Sequence, residues 1–366
     1  MKTSKAPALL ITGLGMVSSL GFDAQTCCAA ARASLSRAAT SADYVVLGDE
    51  GEDVGVVCHA LPFGSTGFEG EVRLARLVEL AWADLLARSP WLVQAAAVKA
   101  YLAMPDLNRG FAAVQDPGTR AEAERRAAAW WHQLRAPDGG LLAPLRLSCH
   151  TGPTGLAQAI EAARADLASG EVTAAVIGAV DSLLDEATLQ WLESADRLKS
   201  IDSPMGLQPG EGAAFLVLQM TALAHACGPI ASLLGIGRGH ESHPRGSERS
   251  PSGAGLAQGI LGALLAGSIV DRRFWCISDQ NGEYRRAMEW GCAQVLLDSS
   301  GAGQRMVPHA WSPAAAFGDT GAAAPAMAIC MAGIAMQRRY APAGLAIVMA
   351  SSDHGEERVA LAVGRA

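Results

Sequence analysis

The chain of 366 residues is half apolar and 18% charged, enough for a large buried core and incompatible with intrinsic disorder. Its 29 Lys and Arg face 36 Asp and Glu, a net charge of −7, and no basic block exists to track a phosphate backbone, which argues against a nucleic-acid partner. Eight cysteines lie scattered without a CxxC pair and read as reduced, buried thiols.

The first residues, Met1-Lys2-Thr3-Ser4-Lys5, lead into an apolar stretch cut by Gly13 and Gly15, with no small-residue cleavage site. A signal peptide is therefore not expected. No apolar run reaches the ~18 residues of a membrane span, so a cytoplasmic protein is expected. Residues 8–11 form a short apolar run ending at Thr12-Gly13-Leu14-Gly15, which predicts a buried strand that turns tightly at its end. Residues 72–87 and 156–168 space apolar side chains at three and four, predicting helices. Apolar runs at 174–180, 213–218, 230–234, 274–277, 345–350 and 359–363 predict further buried strands. Strands alternating with helices give an α/β fold with a substantially parallel sheet. The segment 65–140, helix-forming and carrying Trp130-Trp131-His132, reads as a cap. Residues 237–255, rich in Gly, Ser, His, Pro and Arg, read as a mobile surface loop.

Leu9-Leu10-Ile11-Thr12-Gly13-Leu14-Gly15 and Leu233-Leu234-Gly235-Ile236-Gly237 echo one another, an echo that fits either chance or a duplicated α/β unit. The Gly13-x-Gly15 pair does not extend to a dinucleotide fingerprint, because Ser18 stands at the third glycine. No phosphate loop, HExxH helix or GxSxG elbow occurs.

Four segments in order resemble the β-ketoacyl synthases of the thiolase superfamily. They are Ile11-Thr12-Gly13-Leu14-Gly15-Met16-Val17-Ser18-Ser19-Leu20-Gly21, then Ser169-Gly170-Glu171 with the strand Ala174-Ala175-Val176-Ile177-Gly178-Ala179-Val180-Asp181-Ser182, then Gly206-Leu207-Gln208-Pro209-Gly210-Glu211-Gly212-Ala213-Ala214-Phe215-Leu216-Val217-Leu218, and last Phe317-Gly318-Asp319-Thr320-Gly321-Ala322-Ala323-Ala324. The resemblance implies a thiolase-like five-layer α/β/α/β/α fold of two similar halves, about 1–225 (including the cap at about 65–140) and 226–366. It implies a dimer joined through a strand near the active centre, either a homodimer or a heterodimer with an active synthase. Acyl carrier protein or acyl-CoA thioesters are the implied partners. The implied chemistry is an acyl-cysteine formed at a helix start, where the dipole and free N–H groups favour a thiolate, and two neutral histidines that stabilise an enolate. No cofactor and no metal are expected.

The reacting positions depart from that pattern. By the family's spacing the nucleophile falls on Pro153, in His150-Thr151-Gly152-Pro153-Thr154-Gly155. Cys149, four residues upstream, reads as a structural thiol, or as the nucleophile of an acyltransferase if the chain slips by a turn. Asp279, before Gln280-Asn281, takes the first histidine's place, and Asp319, before Thr320, takes the second's. Ser312-Pro313-Ala314-Ala315 stands where the family's lysine belongs, and Ser351-Ser352-Asp353-His354 where it has a glycine pair. A carboxylate at neutral pH repels the oxyanion that a neutral imidazole stabilises. Two readings follow. The protein is a non-condensing homologue, comparable to a chain-length factor, that binds an acyl chain, an acyl carrier or a synthase partner. Alternatively Asp279, Asp319, His150 and His354 converge as a thioester hydrolase or lyase, sharing a proton, activating water or holding a metal. Thr151, Thr154, Asn281, Thr320 and His354 are the expected substrate contacts. Asp319 capping the following helix is the plain alternative for that residue; Glu211 reads as structural, and His240 and His243 as solvated.

Overall fold

The computed structural model describes residues 9–47, 51–95, 97–106, 109, 125, 129, 146–200, 203–220 and 228–366. Strand β1 (Leu9–Ser18) is buried at every position, as its unbroken run of apolar and small residues requires. It does not turn at Gly13: the strand continues, with a register shift between Ile11 and Gly13. Gly15 is there for approach. A Cβ on it would lie 2.5 Å from the Ala81 carbonyl, because helix α2 (Gly70–Arg88) packs directly on the strand.

After β1 come α1 (Ala24–Arg32), the hairpin β2 (Ala39–Leu47) and β3 (Asp53–Cys58), α2, β4 (Val98–Met104), β5 (Arg146–Thr151), α3 (Gly155–Ser169), β6 (Ala174–Ser182), α4 (Glu186–Ser194) and β7 (Glu211–Met220). The remainder holds β8 (Ala231–His240), α5 (Ala254–Ala266), β9 (Trp275–Ile277), α6 (Tyr284–Ser299), α7 (Ala324–Gln337), β10 (Leu345–Ser351) and β11 (Glu357–Gly364). Apart from the hairpin, these strands form one sheet in the order β5-β4-β6-β7-β1-β8-β11-β10-β9. Outward from the middle, β7 is antiparallel to β1 and β6 to β7, with β4 parallel to β6; likewise β11 is antiparallel to β8 and β10 to β11, with β9 parallel to β10. The echo between Leu9–Gly15 and Leu233–Gly237 thus marks the innermost strands of two topologically matched sets, β1 and β8, which pair antiparallel only over Leu9–Ile11. The glycines serve the same purpose in both, since a Cβ on Gly237 would sit 2.0 Å from the Gly259 carbonyl of α5.

Among the described residues, three of the apolar cores lie between the layers. One, holding Leu85, Trp82 and Phe215, lies between α2 and the outer face of the first strand set. A second, with Ile160, Ile177, Met327 and Val348, lies between the two sets and encloses α3 and α7. The third packs α5 and α6 on the second set through Ile260, Leu297 and Ile347. Five layers result, α/β/α/β/α. Helix α7 is apolar around its circumference and buried along its length, as a helix sandwiched between sheets must be.

Two expectations change. The segment read as a cap contributes α2, one of the outer helical layers, and β4, an interior strand; Trp130, Trp131 and His132 fall outside the described residues. The segment 237–255 is a built structure, not a mobile excursion. Strand β8 runs to His240, and Glu241, fully buried, accepts from the backbone N–H groups of His243, Ser252 and Gly253. Arg285 then donates to the carbonyls of His243, Pro244 and Arg249, fastening the loop to α6.

Candidate functional site: an ion-paired centre between two buried helices

Helices α3 and α7 begin at one place, below the ends of β5, β6, β9 and β10. Gly152, at φ +71°, turns the chain out of β5, and its N–H donates to the Met104 carbonyl at 2.9 Å. Pro153 and the N-cap Thr154 follow. On the other side Gly318, at φ +72°, and Gly321, at φ +50°, bring Asp319 and Thr320 to the start of α7. No alanine fits at Gly321 because its Cβ would lie 2.1 Å from the Asp181 carboxylate.

Pro153, Asp279, Asn281, Arg286, Asp319 and Thr320 wall a cavity of about 30 Å³, which holds a water or two and no acyl chain. A second cavity, of about 40 Å³, opens onto Pro153, Arg197, Arg286, Asp319, Asp353 and His354. Asp279 is held by Arg286 at 2.9 Å. Asp319 accepts from the Gly321 N–H at 2.9 Å and from Asn281 Nδ2 at 2.6 Å, so it caps the turn that opens α7. Asn281 also donates to Glu283 at 2.9 Å. The Arg197 guanidinium, 3% exposed, forks onto Glu283 at 2.8 and 3.0 Å and onto Asp353 at 2.7 and 3.0 Å. Arg245, from the fastened loop, reaches Glu283 at 2.7 Å.

Charge balance follows from this arrangement. Burial disfavours the charged form of Asp353, but Arg197 and Arg286 outweigh it and hold the carboxyl far below its usual range. The same contest, decided by the Arg197 hydrogen bond and charge, lowers Glu283. Burial likewise works against the Arg286 guanidinium, and Asp279 and Asp353 raise it. Behind this cluster Arg109 bonds Asp181 at 2.8 Å, and Asp181 in turn accepts from the Ala322 N–H at 2.8 Å. The centre is an interlocked set of guanidinium and carboxylate groups, each engaged. Among the described residues no cysteine lines either cavity, and burial raises the Cys276 thiol to about 12.

The expected convergence is therefore partly corrected. Asp279, Asp319, Asn281 and Thr320 meet in the first cavity, and His354 stands in the second, its ring 5.2 Å from Trp191. His150 lines neither cavity, because it sits on β5 beneath Gly155, where its backbone carbon is 3.3 Å from the position of a Cβ. Thr151 ends β5 and Thr154 is buried at the cap of α3, and neither reaches a cavity wall. Cys149 lies within β5 with its backbone in register with Leu102. Sequence reasoning missed Arg197, Arg245, Arg286 and Glu283. Only Arg286 carried a local signal, two turns along from Asp279; the others arrive by tertiary contact. Glu211 is structural, as expected: fully buried, it accepts from the Leu61 N–H and from Ser182 Oγ.

No family model and no curated protein matches this sequence. The fold is nonetheless the thiolase-like fold of ketosynthases and chain length factors. A structure of a type II polyketide synthase acyl-carrier protein in complex with its ketosynthase bound to the hexaketide superposes with a TM-score of 0.77 at 13% identity, covering 99% of this chain and 100% of that one. The ishigamide ketosynthase/chain length factor gives 0.70 at 17%, covering 98% and 99%. A ketosynthase in complex with its chain length factor from Xenorhabdus doucetiae gives 0.67 at 12%, covering the whole of both chains.

Proposed function

We propose that this protein is a non-condensing relative of the ketosynthases in fatty-acid or polyketide-type acyl metabolism, acting in the cytoplasm as partner of an acyl carrier or an active synthase, in the manner of a chain length factor. One observation carries this reading. Where condensation needs a thiolate and two neutral donors, this chain has Pro153, an Asp279 committed to Arg286 and an Asp319 committed to Asn281 and the Gly321 N–H. Among the described residues no group there is left to attack a thioester, and the guanidiniums that could have held an enolate are already engaged by carboxylates. The cavity's small volume favours a carrier or a synthase partner over an acyl chain held at this centre.

Association through β5 suits this role. It is the outermost strand on its side of the sheet and leads directly to Pro153, so a partner paired along it would lie beside the centre. The two strand sets support halves meeting near residue 225. No described helix is long and apolar enough to cross a membrane. The hydrolase alternative loses support, since His150 is outside the centre and both carboxylates are engaged.

Intact-mass spectrometry after incubation with octanoyl-CoA and an octanoylated acyl carrier tests the reading. Neither an adduct nor released thiol is expected. An adduct lost in Cys149→Ala would make the protein an acyltransferase, and thiol release without an adduct, abolished in Asp279→Asn, would make it a hydrolase. Either result overturns the proposal.

A further inference from the structure

Helices α1 and α7 pack against each other, and the turn at 312–316 runs beside them, its Pro313 and Ala314 facing the first cavity on the other side. Between them and the turn at 312–316 is a cavity of about 440 Å³, walled by Cys28, Ala31, Trp311, Ala316, Met331 and Tyr340, with Arg32 at its edge. This is the size of pocket that holds a small ring system. It shares Arg32 and Tyr340 with a more open groove that adds Ile334 and Arg338.

The aromatic wall is firmly set. Trp311 lies 6.2 Å from Tyr340 with planes inclined by 25°, and 5.6 Å from Trp275, which is fully buried. Arg339 adopts φ +63°, a left-handed conformation usually left to glycine. The chain thereby folds back, and the Tyr340 N–H donates to the Ala335 carbonyl at 3.0 Å. The Arg32 guanidinium lies 4.2 Å over the Tyr340 ring.

Among the described residues, neither Arg32 nor Arg338 has a carboxylate partner; Arg338 donates to Gln25 Oε1 at 3.1 Å. The carboxyl ends of α1 and α7 explain in part why arginines stand here, each contributing about half a negative charge. Two guanidiniums exceed those two ends by about one positive charge. An apolar, aromatic-walled space with one uncompensated positive charge at its rim, in a chain of net charge −7, has the character of a ligand pocket.

We propose that this pocket binds a small organic anion with a planar apolar body, the ring system against Trp311 and Tyr340 and the negative group on Arg32 and Arg338. This site does not depend on the function proposed above. The probe is 8-anilino-1-naphthalenesulfonate, titrated into the full-length protein and followed by fluorescence, beside its uncharged counterpart N-phenyl-1-naphthylamine. Saturable binding of one sulfonate per chain is expected, with affinity about tenfold above the uncharged dye, the scale of one charge-assisted contact. The difference should shrink in about 0.5 M salt. Arg32→Met is expected to lose about tenfold in sulfonate affinity, Arg32→Lys to recover part of it, and Ala315→Trp, which fills the cavity, to abolish binding. Equal affinity for the two dyes, or unchanged sulfonate binding in a folded Arg32→Met, would overturn the proposal. The dye comparison on the unaltered chain decides the matter even if a variant fails to fold.

Discussion

Arg197 illustrates how this centre is held. Its fork satisfies both oxygens of Glu283 and both of Asp353, so removing it leaves Glu283 to Arg245 and Asp353 to the longer contacts of Arg286 and Arg245, two carboxylates each short of its main partner. Breaking a buried pair from one side typically costs about 3–5 kcal/mol, because the uncompensated charge remains. Arg197→Met is expected to lower the unfolding free energy by about 3 kcal/mol or more, read by urea denaturation. A loss under about 1 kcal/mol would mean that the fork behaves as a surface pair. The sequence announced Asp279 and Asp319 through the motifs around them, but it said nothing of Arg197 or Arg245. These lie far from their partners along the chain, and no local spacing encodes a contact made by tertiary packing.

The closeness of helix to strand sets the layers at the scale of elements. At Gly237 a Cβ would lie 2.0 Å from the Gly259 carbonyl, so Gly237→Ala must push α5 off β8. The expected cost is about 1–3 kcal/mol, as for overpacked cores, read as a lowered melting temperature. Gly291, in the exposed interior of α6, meets nothing within 4 Å, and Gly291→Ala is expected to stabilise by up to about 1 kcal/mol through helix propensity. Opposite signs at these two glycines would be hard to obtain unless α5 and β8 approach as described. The predicted strands from 174 onward were legible because sheets buried on both faces demand continuous apolar runs. Strand β4 was not, because Val98–Met104 mixes Lys99 and Tyr101 into its run. Lys99 finds Asp166 at 2.6 Å, a partner in α3 that no strand pattern predicts. The Gly-x-Gly echoes were visible, yet their purpose, backbone approach of a helix, became clear only from the packing.

For the whole molecule, the ion network joins the two strand sets, with Arg197 following α4 and Glu283 and Asp353 lying near α6 and β10. Both carboxyls titrate lower in the folded chain than the ordinary value of about 4. Their stabilisation is therefore complete above that ordinary range and is lost as pH falls below it toward the folded values. Calorimetry should show a melting temperature that declines as pH drops from about 5 to about 3, with a smaller decline in Arg197→Met, where both carboxylates have lost their largest source of lowering and keep only Arg245 and Arg286. An equal decline in both would place the acid sensitivity elsewhere.

The five-layer fold could be anticipated from four short motifs, while the proposed absence of the family's reacting groups rests on Pro153, Asp279 and Asp319, residues that the sequence alone singles out. What the geometry adds is that these positions have been tied into a network, so that restoring one group would not free the rest. The most direct test of this account is formation of a β-ketoacyl product from an acyl thioester and a malonyl thioester, followed by mass spectrometry against a protein-free control. The account predicts no product above the control. Product formed by the unaltered protein and lost in Asp279→Asn would contradict it.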